Sequence, residues 1–210
     1  MLATSLKNLN QGTKEQSLDD STLWLSFKKG NNLAFSILYN KYVHRLYNYG
    51  MHSCRDKDLV LDCLQELFTL LWDRRERLAD VTSVNFYLFK SFRRLLFNRL
   101  TFGKKFLISL SDKDGHGFDF VPSIEDCLIE EEWELERNKK LKSSLDSLTK
   151  RQREAIFLKF FNQLSYQEVA ALMNLHVDSV YNLISKSIDI LRKRLKTNAV
   201  FMTMISYLVS

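Results

Sequence analysis

SYQEVAALMNLHVDSVYNLISKSIDILRKRL, Ser165 to Leu195, carries the period of two helices meeting at a three-residue turn. Ser165 is followed three residues later by Glu168, the spacing of a capping box, in which each side chain satisfies an unpaired amide at the helix start. The spacing predicts a helix over 166–173. Asn174 comes next, and Asn tolerates the left-handed conformation that ends a helix better than any residue but Gly. A second helix starts near Val177. At about 100° per residue, Val180, Leu183, Ile184, Ser187, Ile188 and Leu191 fall on one face. Asp178, Tyr181, Asn182, Ser185, Lys186 and Asp189 fall on the other. Upstream, Thr149 and Gln152 form a further capping-box pair that opens a helix over 150–161.

A short helix, a tight turn and a longer amphipathic helix make a helix-turn-helix. An ordinary helical hairpin buried in a bundle has the same pattern. The outward face separates the two, because short polar side chains with a lysine suit base edges and phosphates in a major groove. Asp178, Ser179, Tyr181, Asn182, Ser185 and Lys186 are the candidate base-reading and phosphate-binding residues. The helix begins with little positive charge, so part of the affinity has to come from elsewhere. Arg192, Lys193, Arg194 and Lys196 suit either phosphate contact or plain solvation.

The whole chain has 210 residues, 45% of them hydrophobic, with six glycines and one proline, Pro122. That composition fits a mostly helical chain with core enough for two small domains. No apolar run approaches the ~20 residues of a membrane helix, and the first residues lack the apolar centre of a signal peptide. A cytoplasmic protein is the expectation. Cys54, Cys63 and Cys127 form no CxxC pair, and His44 and His52 do not complete a zinc spacing, so no metal or cofactor is expected.

Charge is blocked along the chain. Residues 1–105 hold 17 Lys/Arg against 10 Asp/Glu, residues 106–136 hold 1 against 10, and residues 137–210 hold 13 against 5. Two basic ends therefore flank an acidic centre, a distribution that sets partners and steering. The acidic segment also holds the proline, and reads as a linker. Residues 1–21 read as a flexible arm, 22–105 as a helical domain with loops at 54–58 and 78–85, and 199–210 as an apolar tail. That tail is expected to pack on the C-terminal domain or on residues 22–50.

Within the first domain, LVLDCLQELFTLLWDRRERL (59–78) is amphipathic. Leu61, Leu64, Leu67, Phe68 and Leu71 share one face, while Asp62, Gln65, Glu66, Thr69 and Asp73 share the other. So acidic a face is either solvated surface or a dock for a basic protein partner. NFYLFKSFRRLLFNRL (85–100) interleaves five aromatics with Lys90, Arg93, Arg94 and Arg99. Phe89, Phe92 and Phe97 are expected in the core. The basic residues, with Asn85 at the mouth of the helix, also suit unstacked single-stranded bases.

Taken in order, these stretches resemble the extracytoplasmic-function group of the sigma-70 family over about residues 22–196. DCLQELF is similar to the family's region 2.2 signature, which implies that Asp62, Gln65 and Glu66 dock on the β′ clamp helices of core RNA polymerase. Residues 78–100 are similar to regions 2.3 and 2.4, which implies minus-ten recognition and melting by Asn85, Lys90, Arg93 and Arg94. Residues 148–195 resemble region 4, which reads the minus-thirty-five element and meets the β flap. The acidic linker is implied to thread the RNA exit path, and an anti-sigma protein is a further implied partner. His176 stands where the family usually has a Ser or Thr N-cap. Tyr181 and Leu183 replace residues that are often basic, and Asn174 takes the place of a glycine.

The expectation is thus an all-α protein: two small helical domains, a region 2 bundle at 22–105 and a region 4 helix-turn-helix at 137–198, joined by an acidic linker at 106–136. It would direct transcription initiation at promoter DNA without catalysing a reaction itself. No GxxxxGK[ST] or HExxH motif suggests an enzyme. The alternative is a stand-alone helix-turn-helix regulator that binds an operator as a dimer.

Overall fold

The computed structural model describes residues 19–104 and 144–195, and all of their regular structure is helical, with no strand among them. The acidic linker at 106–136 and the tail at 199–210 lie outside the described residues.

Four helices form an N-terminal bundle: α1 (Asp20–Lys28), α2 (Asn32–Cys54), α3 (Lys57–Arg74) and α4 (Val84–Lys104). Their starts follow from local chemistry. Asn31 Oδ1 accepts from the Leu33 and Ala34 amides, Asp56 Oδ1 from Leu59, and Ser83 Oγ from Phe86. Each such cap contributes about 1 kcal/mol. Gly30 closes α1 with φ +88°, a left-handed conformation that favours glycine. Helix α1 begins at Asp20, inside the stretch that sequence reading assigns to a flexible arm. The Asp20 carboxylate accepts from Lys41 Nζ at 2.6 Å and from the Tyr42 hydroxyl, so contacts with α2 pin the helix start. Both loops are shorter than expected, at 55–56 and 78–83, the second preceded by a 3₁₀ turn at Arg75–Arg77.

The C-terminal helices are α5 (Lys150–Ile156), α6 (Tyr166–Met173) and α7 (Val177–Leu195). Both capping boxes form as the spacing predicts, Thr149 with Gln152 and Ser165 with Glu168. Asn174 is left-handed, with φ 54° and ψ 51°. The expected helix over 150–161 is α-helical only to Ile156. Phe157–Phe161 widen into a π-helical turn, where the Asn162 amide donates to the Phe157 carbonyl.

Helix periodicity sorts all but one of these side chains as expected. Val180, Ile184, Ser187 and Leu191 of α7 are buried, while Asp178, Tyr181, Asn182, Ser185, Lys186 and Asp189 are exposed. In α3, Leu64, Leu67, Phe68 and Leu71 are buried, but Leu61, expected on the same apolar face, is 44% exposed near the helix start. The N-terminal core is aromatic: Trp24, Phe27, Phe35, Trp72 and Phe68 touch in edge-to-face, tilted and stacked pairs with centroids 5.1–6.3 Å apart. Burying each large side chain contributes about 1.5–3 kcal/mol. Helix α2 carries a glycine about one turn before its C-terminal end because α3 and α4 press against it there. A Cβ on Gly50 would sit 2.8 Å from Val60 Cγ1 and 3.1 Å from Phe92 Cζ.

The two bundles touch. Phe157 meets the His52 ring edge-on at 5.0 Å and stacks against Tyr49 at 6.4 Å. One continuous core therefore runs from Leu23 to Leu191.

Candidate nucleic-acid and protein-docking faces

Helix α3 turns Asp62, Gln65 and Thr69 to solvent at i, i+3 and i+7. Glu66, between them, is half-covered because Arg99 of α4 donates to Glu66 Oε2 at 2.6 Å. Asp62, Gln65, Glu66, Thr69, Leu70 and Arg99 together line a shallow open groove. The three acidic-face residues expected from the sequence thus share one surface. Arg99, which sequence reading placed only in a basic cluster, is the side chain that occupies their carboxylate. Glu66 in turn holds the Arg99 guanidinium above its ordinary pKa.

The four candidates on α4, Asn85, Lys90, Arg93 and Arg94, separate into two pairs. Lys90 and Arg94 are exposed, and Lys90 Nζ lies 5.5 Å from the Phe86 ring centre. Arg93 turns the other way. Its Nε donates to the Tyr49 hydroxyl at 3.0 Å and lies 3.6 Å from Glu154 Oε1 of α5. The Tyr49 hydroxyl completes the triangle by donating to Glu154 Oε1 at 2.9 Å. Burial opposes the Arg93 charge, but Tyr49 and Glu154 outweigh it and hold the guanidinium above its ordinary pKa. Burial, then the nearby Glu154 charge, raises the Tyr49 pKa well above its ordinary value, and so keeps the phenol neutral.

Asn85 is engaged too, its Nδ2 donating to the Asn162 carbonyl at 2.7 Å. Its buried Oδ1 has no hydrogen-bond partner among the described residues. Of the expected core phenylalanines, Phe89 and Phe92 are fully buried. Phe97 is half-buried beneath the Arg93 guanidinium, 4.4 Å from its ring centre. So the basic residues do not present one shared face here: Arg93 and Asn85 meet the C-terminal bundle, and Lys90 and Arg94 meet water. Partners 61 to 77 residues away set this, which helical periodicity cannot register.

On α7, the six expected residues Asp178, Ser179, Tyr181, Asn182, Ser185 and Lys186 are all exposed along one stripe. The buried side is anchored by Val180, Ile184 and Leu191, with Ser187 Oγ donating back to the Leu183 carbonyl at 2.6 Å. A rigid hairpin with a polar outer stripe can enter a major groove, and nothing in the described residues covers it. Among them no three His, Cys, Asp or Glu cluster in a way that could hold a metal. No described helix is long and apolar enough to cross a membrane.

Residues 139–189 match the family model "Sigma-70, region 4". The chain shares its fold with CnrH, solved in complex with the cytosolic domain of CnrY. That match has a TM-score of 0.52 at 19% identity, over 85% of this chain and 98% of CnrH. It is likewise similar to the sigma factor RpoE, solved with the anti-sigma factor NepR from Bartonella quintana. There the TM-score is 0.50 at 18% identity, over 82% of this chain and 98% of the other. No curated protein matches the chain.

Proposed function

We infer that this chain is an RNA polymerase sigma factor of the extracytoplasmic-function group, a promoter-specificity subunit rather than an enzyme. One observation carries it: a sigma-70 region 4 match at residues 139–189 sits in a chain of which 82–85% shares the fold of CnrH and of the sigma factor RpoE. The finer assignments follow from the faces described above.

The stripe of Asp62, Gln65 and Glu66 docks on the β′ clamp helices of core polymerase. Its support is the exposure of these residues and their shared groove. Residues 22–105 take the role of region 2, with Asn85, Lys90, Arg93 and Arg94 toward the minus-ten element. Residues 137–198 take that of region 4, with the α7 stripe toward the minus-thirty-five element and the bundle against the β flap. The acidic linker at 106–136 runs in the basic RNA exit path, since phosphate repels it from DNA. All of this takes place in the cytoplasm, and an anti-sigma protein is a fitting inhibitory partner.

The closed arrangement belongs to the free chain in this scheme. Arg93 and Asn85 cannot hold Glu154 and the Asn162 carbonyl and promoter DNA at once. Binding to core therefore separates the bundles, which also explains why a recognition helix with little charge at its start suffices. Polymerase supplies the rest of the affinity.

The test is reconstitution with purified core polymerase. A sigma factor co-purifies with core and directs run-off transcription from promoters that core alone ignores. A stand-alone regulator instead shifts duplex DNA without polymerase and gives no run-off.

A further inference from the structure

Tyr181 stands in the middle of the exposed stripe of α7, with 48% of its surface open to solvent, yet its ring is not free to swing. It lies nearly parallel to Tyr166, with centroids 3.9 Å apart and an interplanar angle of 17°. Tyr166 is the first residue of α6, and the Ser165–Glu168 capping box fixes its backbone. Lys159 Nζ lies 4.6 Å from the centre of the Tyr166 ring and donates to the Leu164 carbonyl at 3.2 Å. An ammonium and a second ring this close to one centroid cannot share a face, so the three groups form a stack: Lys159, Tyr166, Tyr181. The cation draws on the π-density of Tyr166 and strengthens its hold on one site.

Packing alone does not require this. The hairpin is already locked by fully buried Val169, Val180, Ile184 and Leu191, while the stack sits at the rim of the core. What the stack changes is the outer residue. An exposed tyrosine normally loses rotamer freedom when it is caught in an interface, and a pre-stacked one has already lost it. One ring face of Tyr181 is taken by Tyr166. The rest of the ring is the exposed part, on the same helix stripe as exposed Asp178, Asn182 and Ser185. An apolar surface held rigidly among polar groups in a major groove has one distinctive target, the 5-methyl group of thymine.

Resting on the sigma-factor assignment above, we propose that Tyr181 reads a thymine methyl in the upstream promoter element, with Tyr166 and Lys159 as positioning residues that hold its ring in place. Tyr166 and Lys159 touch no base themselves.

Thymine-to-deoxyuracil replacement removes that methyl and nothing else. Reconstituted holoenzyme is bound to duplex promoter DNA, with each upstream-element thymine replaced in turn. Wild type should lose roughly fourfold in affinity at one position, the order expected for one buried methyl group. Tyr181→Ala should bind thymine and deoxyuracil DNA equally at that position. Tyr166→Phe keeps the stacked ring and should keep the discrimination, whereas Tyr166→Leu should reduce it toward onefold. Lys159→Met should weaken it partially.

If no thymine position discriminates in wild type, or if a folded Tyr166→Leu holoenzyme retains the full methyl effect, the proposal is wrong. Should Tyr166→Leu fail to fold, Tyr181→Ala decides in its place, because its side chain is half-exposed and its loss leaves the core intact. Holoenzyme that fails to bind any upstream duplex would instead overturn the sigma-factor assignment itself.

Discussion

The Glu154 carboxylate accepts a hydrogen bond from the Tyr49 hydroxyl at 2.9 Å, joining two helices whose residues lie 105 positions apart. Arg93 closes the group from the side. A fully buried phenol, a guanidinium and an 11%-exposed carboxylate thus form a polar plug in the apolar seam between the bundles. A plug of this kind holds register rather than adding much net stability, since desolvation consumes most of the Coulomb gain.

Glu154→Ala should therefore act on both stability and shape. Removing Glu154 takes away the acceptor of the Tyr49 hydroxyl and the charge partner of partly buried Arg93, at a cost of about 1–3 kcal/mol. Urea titration should show that loss, and small-angle scattering should show a larger radius of gyration below the unfolding midpoint. Glu154→Gln keeps an acceptor for Tyr49 and should lose less. Wild-type stability in the alanine variant would mean that the seam is held by Phe157 packing alone.

Alkaline pH should loosen both this seam and the contact of α1 with α2. Tyr49 has its pKa raised above the ordinary 10.0 by burial and then by the Glu154 charge. Tyr42 is raised likewise, by burial and then by its hydrogen bond to Asp20. In both cases the folded value lies above the unfolded one. Their stabilisation is thus complete below pH 10.0 and declines as pH rises past it, by up to about 1.4 kcal/mol per pH unit for each tyrosine. Chemical denaturation at pH 8.5 and 10.5 should show the loss, with a smaller difference in Tyr49→Phe.

Gly50→Ala should destabilise the N-terminal bundle although alanine is the better helix former. The new methyl meets Val60 at 2.8 Å and Phe92 at 3.1 Å, and both neighbours are fully buried. Overpacking costs typically about 1–3 kcal/mol, and the gain in helix propensity offsets at most about 1 of it. A raised melting temperature would show that Val60 can change rotamer at no cost.

Asp62→Ala combined with Glu66→Ala should abolish binding to core polymerase while leaving helicity and melting temperature nearly unchanged. Asp62 is exposed, and the Glu66–Arg99 pair is a surface ion pair that contributes little to folding. Fluorescence-detected titration with core enzyme measures the first property and circular dichroism the second. Full-affinity holoenzyme would remove this face from the docking surface.

Arg94→Ala should lower the salt dependence of open-complex formation by roughly one unit of slope, as expected for one lost phosphate contact. Arg94 is exposed, so the free protein should melt as wild type does. Arg93→Ala should differ by destabilising the free chain as well, because Arg93 bridges Tyr49 and Glu154. Identical behaviour of the two variants would contradict the division of α4 into an outward and an inward pair.

What could be foreseen from residue order tracks the range of the interaction responsible. Ser165, Glu168, Thr149, Gln152 and Asn174 act within four residues of themselves, and each does in the fold what its spacing requires. The buried and exposed stripes of α3 and α7 follow from the helix period, except at Leu61, which the period puts on the apolar face and the fold leaves exposed. Arg93 and Asn85 were legible as residue types suited to nucleic acid, but not in their partners, which the packing of the two bundles supplies. The start of α1 escaped for the same reason, since Lys41 and Tyr42 of α2 hold Asp20 in place. Nor does local sequence announce the π-helical turn, where five residues rich in phenylalanine carry the same periodicity as an α-helix. The Tyr166–Tyr181 stack needs the turn between α6 and α7 to bring the two rings together.

Buried Trp24 donates its indole N–H to the Ala79 carbonyl at 3.2 Å, and Lys28 of the same helix pairs with Asp80. Helix α1 is thereby fastened to the loop that precedes α4. That loop cannot shift without either breaking the indole bond or pulling α1 along with it. Indole emission responds to the loss of a hydrogen-bonded carbonyl and to the entry of water. The bundle therefore contains its own optical gauge, at the junction through which a strained or displaced loop would be felt.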